Sequence, residues 1–103
     1  MALGVNRISM LKIIFGLSMQ QANVLELIMK RQIASKDAIM THLYGATPEG
    51  GPITGKKAID VVVHHVRKRL AHHDVKITTV YGVGFMIRPE GKKIINDLLS
   101  ATS

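Results

Sequence analysis

The sequence predicts an α+β domain in which helices come first, a β-hairpin follows and one further helix closes the chain. Three observations carry this. Apolar residues recur at helical spacing from Ile59 to Leu70. Two β-rich runs, "VKITTV" and "GFMIR", flank the turn-forming "YGVG". The segment "GATPEGGPITG" is so rich in Gly and Pro that only a loop fits it.

Composition bounds the functional classes. A chain of 103 residues is the size of one domain, and 47% hydrophobic residues with a mean hydropathy of +0.19 call for a packed core. Lys and Arg total 14 against 7 Asp and Glu, a net charge of +7 that suits a polyanionic partner. The absence of cysteine excludes disulfides and thiolate metal sites and fits a reducing cytosol. The N-terminal "MALGVNRISMLKIIFGL" lacks a small-residue cleavage site and is interrupted by Lys12. No run approaches the roughly 18 apolar residues of a membrane span, so a cytoplasmic chain is expected.

Each element has its own signal. "IIFGL", from Ile13 to Leu17, is a short apolar run and predicts a strand within an N-terminal arm, residues 1–17. Ser18 with Gln21 three residues on is a capping box, which starts a helix reaching Met29. Ala22, Val24, Leu25, Leu27 and Ile28 cover most of that helix's circumference and make it central. Ser35 caps a second helix, with Ile39 and Leu43 on one face and Gly45 placed to end it. Beyond the hairpin, "PEGKKIINDLLS" pairs Ile94 with Leu98 and Ile95 with Leu99, an amphipathic helix within residues 89–103.

The stretch "KKAIDVVVHHVRKRL" from Lys56 to Leu70 decides the reading. By β propensity it is a strand, yet neither parity of its residues is cleanly apolar. As a helix, Ile59, Val62, Val63, Val66 and Leu70 fall within about 60° of one line. Lys57, Val61, His64 and Lys68 take the opposite face, flanked by His65 and Arg67. A basic outer face of this kind is often simply solvated. Here it belongs to a helix preceded by two capped helices and followed by a hairpin. That order is a winged helix-turn-helix: a three-helix core, a C-terminal β-hairpin wing and an extra C-terminal helix. In such folds the last core helix enters the major groove and the hairpin reaches the adjacent backbone or minor groove.

The same residues carry a family resemblance. "AIDVVVHHVRKRL…ITTVYGVGFMI" resembles the DNA-binding output domain of OmpR/PhoB-type response regulators, in which a "TVDVHIxRLRKKL" helix precedes an "IxTVRGxGYxL" wing. The resemblance runs from about Leu17 to Arg88, and includes the "HLYG" that closes the second helix. It implies a winged-helix domain over residues 18–88, with a recognition helix at 56–70 and a wing at 75–88. It places Lys57, Val61, Val62, His64, His65 and Arg67 at DNA-contact positions of the helix, although the helical wheel turns Val62 inward. Thr79 and Tyr81 occupy contact positions of the wing, and Gly82, Gly84 and Phe85 match its turn. Lys56, Lys68 and Lys76 add candidate phosphate contacts. The departures are an absent phospho-acceptor domain, hence a stand-alone module, and too few residues for the family's N-terminal four-stranded sheet. His64-His65 replaces an arginine pair, and Tyr81 replaces the wing arginine.

Other chemistries have little support. The adjacent histidine pairs point about 100° apart on a helix, unlike i, i+4 metal pairs, and no nucleophile or carboxylate-pair motif occurs. Neither metal, cofactor nor catalysis is expected. The reading is a sequence-selective regulator of transcription that binds double-stranded DNA. The alternative is a winged helix used as a protein-interaction module, binding RNA polymerase or an assembly. By analogy with the family, loop 45–55 around Glu49 is a candidate polymerase contact, and the C-terminal stripe either covers the core or pairs two copies.

Overall fold

A computed structural model of the protein describes residues 7–44 and 55–102. Its elements are α1 (Arg7–Phe15), α2 (Met19–Lys30), β1 (Ala34–Ser35), α3 (Lys36–Tyr44), α4 (Gly55–Ala71), β2 (Ile77–Val80), β3 (Gly84–Ile87) and α5 (Pro89–Thr102). The loop expected at 45–55 falls outside the described residues except for Gly55, which opens α4.

The strand expected at Ile13–Leu17 is instead the last turn of a helix, to Phe15, and the cap that follows it. In α1, Leu11 and Phe15 lie four apart and are buried, while Ile13 is 76% exposed. Packing of that one face against α2 and α5 overrides the β preference of the isoleucines. Gly16, at φ 66°, ends the helix, and the Leu17 N–H donates to the Lys12 carbonyl at 3.0 Å. This is a Schellman cap, with Leu17 buried beside it. The next residue, Ser18, opens α2 with a full capping box, so one three-residue turn stops one helix and starts another.

Helix α2 is central, as its apolar circumference predicts, and packs on α1, α3 and α4. It also buries Glu26, which accepts from the Arg7 Nε at 3.1 and 2.9 Å, with the Lys30 ammonium 3.9 Å away. The pair fastens α1 to α2, because a carboxylate withdrawn from water is stabilised by a paired cation.

Ser35 caps α3 by accepting from the Ala38 N–H at 3.0 Å. Ala34 and Ser35 also form a strand too short for sequence periodicity to reveal, and the sheet order is β1-β3-β2. Ala34 pairs with Phe85 and Ser35 with Gly84. A Cβ on Gly84 would meet the Ala34 carbonyl oxygen, so only glycine lets β1 lie against the wing.

Helix α4 runs as predicted, with Ile59, Val62, Val63, Val66 and Leu70 all buried. It closes on Asp74, at φ 60°, with the Val75 N–H donating to the Leu70 carbonyl at 3.2 Å. The C-terminal stripe covers the core. Ile95 and Leu99 are buried, Ile94 and Leu98 pack beside them, and α5 lies on α1. Gly91 permits this approach, since a Cβ there would sit 2.8 Å from the Ile87 side chain.

Ile95→Ala is therefore expected to cost about 2–5 kcal/mol of unfolding free energy in a denaturant titration. A loss below about 1 kcal/mol would mean that α5 is dispensable to the core.

Candidate nucleic-acid interface

The outer face of α4 presents Lys57, Val61, His64, His65 and Lys68, all exposed. Lys57, Val61, His64 and Lys68 lie opposite the buried stripe and His65 on its flank, as the helical wheel requires. The His64 and His65 rings stand 5.9 Å apart at their centroids. The side chain of Lys56 lies outside the described residues. Val62, assigned to contact by the resemblance but to the core by the wheel, is 7% exposed. It belongs to the core.

The wing is built from the register Ile77–Ile87, Thr78–Met86, Thr79–Phe85 and Val80–Gly84. Its turn is closed by the Val83 N–H donating to the Val80 carbonyl at 2.9 Å, with Gly82 at φ 79°. Phe85 and Ile87 turn into the core, while Tyr81 is 91% exposed at the tip. Lys76 is exposed just before β2.

Arg67 and Thr79 were expected to face a ligand, and the structure gives them a further partner: each other. The Arg67 Nε and one terminal nitrogen donate to the Ile77 carbonyl at 3.2 and 2.8 Å, and that same terminal nitrogen reaches the Thr79 hydroxyl at 3.0 Å. A planar guanidinium spans two acceptors at once, so α4 and β2 are held at a fixed separation. No sequence signal distinguishes this arginine from its exposed neighbours.

Between α4 and the wing lies a concavity of about 660 Å³, lined in part by Asp60, His64, Arg67, Thr79 and Tyr81, with Lys36 of α3 at its edge. The Lys36 ammonium pairs with Asp60 at 3.0 Å and lies 5.9 Å from the Phe85 ring centroid. Asp60 is the acidic residue on an otherwise cationic helix face, and sequence reasoning did not single it out. Its charge is offset by Lys36. The resulting surface is basic along the helix, mixed apolar and charged in the concavity and uncharged at the wing tip.

The histidines beyond this face have other settings. His73 is half-buried and sets its ring edge-on to Phe15 at 4.9 Å, and His72 is exposed. Among the described residues no three His, Asp or Glu side chains gather as a metal cluster. Among them, too, no helix is long and apolar enough to cross a membrane.

The family described as "Transcriptional regulatory protein, C terminal" matches residues 15–87. The chain belongs to this family. It is a winged-helix domain of the OmpR/PhoB type, a DNA-binding module of transcription regulation. The match begins at the last residue of α1 and ends at the last of β3, so α5 and all of α1 but Phe15 lie outside it. Where at most a strand or two was expected before the family core, this member has a helix. Comparison with curated proteins and with solved structures found no match.

If Arg67 fixes the wing, Arg67→Ala will cost about 1–3 kcal/mol and speed amide exchange in residues 77–87. Arg67→Lys will recover only part of the loss, because an ammonium lacks the guanidinium fork. Unchanged exchange in the wing of Arg67→Ala would show that the sheet alone holds it.

Proposed function

We propose that the protein is a sequence-selective regulator that binds double-stranded DNA with α4 in the major groove and the wing at the adjacent backbone or minor groove. The observation that carries this reading is the exposed basic and histidine face of α4, held by Arg67 in one surface with the wing. Lys57, Lys68 and Lys76 supply phosphate contacts, and Lys56 at the start of the helix adds a fourth. His64, His65 and Val61 face the base edges. An imidazole offers a single donor or acceptor where an arginine offers a bidentate fork, so the preferred site differs from that of an arginine-bearing relative. Val61 provides an apolar contact suited to a thymine methyl. Arg67 and Thr79 act mainly by positioning.

Contact between residues 45–55 and RNA polymerase rests on family analogy and lies outside the described residues, apart from the backbone of Gly55. A homodimer on paired half-sites would use a surface other than the C-terminal stripe, because Ile95 and Leu99 are already packed within one chain. Such a regulator works in the cytoplasm, where the bacterial or phage DNA is.

The reading is tested by salt. Log affinity for a duplex selected from random DNA is expected to fall with log salt by about 0.9 for each phosphate contact. Lys68→Ala should weaken binding to all sequences alike and reduce the slope by about 1. His64→Ala should alter preference at particular base pairs. A flat salt response, or no binding to any duplex at low salt, contradicts the proposal.

A further inference from the structure

The wing tip does not match the rest of the proposed interface. In a chain of net charge +7, residues 81–83 are Tyr-Gly-Val and carry no charge. Tyr81 is 91% exposed and Val83 51%, whereas Gly84 and Phe85 immediately after them are buried. Two apolar side chains exposed at the end of one hairpin gain free energy when something covers them.

Three features make the tip stiff rather than a loose loop. The strands below it pair residue for residue from Ile77–Ile87 to Val80–Gly84. The Val83–Val80 hydrogen bond closes the turn. Arg67 ties β2 to α4. Tyr81 also borders the same concavity as His64 and Asp60, so the tip projects on the side of the molecule that presents the α4 face.

An uncharged tip gains little from a phosphate. Its gain has to come from burying the ring and the valine, and in the minor groove, which lacks the thymine methyl, the apolar surface to bury against lies between stacked bases. Proteins that place apolar side chains in the minor groove wedge open a base step and kink the duplex. We propose that Tyr81, backed by Val83, is such a wedge: it enters the minor groove, partly unstacks one step and bends the DNA. This rests on the reading that α4 lies in the major groove. It adds selectivity at a step that no hydrogen bond reads, favouring the easily unstacked pyrimidine–purine steps.

The test uses the full chain and a duplex selected from random DNA, end-labelled with an energy-transfer pair. Affinity is measured in parallel, and bending is read at saturation for every variant. The wild type is expected to bend the duplex by at least about 20° and to make thymines at one step reactive to permanganate. Tyr81→Phe should keep both effects, since the ring and not the hydroxyl acts. The double variant Tyr81→Ala, Val83→Ser should lose both while still binding. Both side chains lie outside the core, so folding is not at stake. Wild-type binding without bending or permanganate reactivity overturns the wedge and leaves the proposed function intact. Undiminished bending by the double variant also overturns it and leaves the tip for a protein partner. Loss of bending in Tyr81→Phe would replace the wedge by a hydroxyl contact to the backbone. Failure of the wild type to bind any duplex overturns the proposed function and the wedge with it.

Discussion

The fork from Arg67 to the Ile77 carbonyl and the Thr79 hydroxyl decides whether the α4 outer face and the wing form one surface or two. Helix α4 is fixed by its buried stripe, and β3 by Phe85, Ile87 and its pairing with β1. Strand β2, at the outer edge of the three-stranded sheet, has one neighbouring strand among the described residues. A short edge strand frays readily, and its tip would sweep a wide arc relative to the helix. The guanidinium removes that freedom at the base of the wing, beside the helix face. Ordering the two parts before binding lowers the entropy lost on association.

Behind that surface the chain is organised as support. The capping box at Ser18 and the Schellman turn at Gly16 join α1 to α2 with no slack, and Glu26 holds Arg7 across the joint. Helix α5 returns over the same region and reaches back to the Arg31 carbonyl through Lys92 at 2.9 Å. This helix pair flanks the family core at both ends of the matched segment. Leu11 and Phe15 of α1 and Ile95 and Leu99 of α5 are buried in the core, so the pair extends the core that supports α4.

Legibility from sequence followed the number of residues that share a constraint. The α4 register could be read because five buried residues repeat one helical spacing, and all five are in the core. The hairpin could be read because glycine punctuates two β-rich runs, and both serine caps because each satisfies a nearby backbone N–H. Helix α1 was misread as a strand since "IIFGL" is too short for periodicity to separate the two, although Gly16 carried a helix-stop signal. Strand β1 has two residues and no pattern of its own. Glu26 and Arg67 were illegible in a different way. Their partners are 19 and 10 to 12 residues distant, and a charged side chain on a helix looks the same in sequence whichever way the fold turns it.

The central claim is that the α4 outer face and the wing form one surface for a duplex. Amide and side-chain NMR shifts of the full chain, followed as a selected duplex is added, test it most directly. The account predicts the largest shifts at Lys57, Val61, His64, His65 and Lys68 together with residues 81–83, moving in one concerted titration. Shifts concentrated on α1 and α5, with the α4 face unmoved, would contradict it.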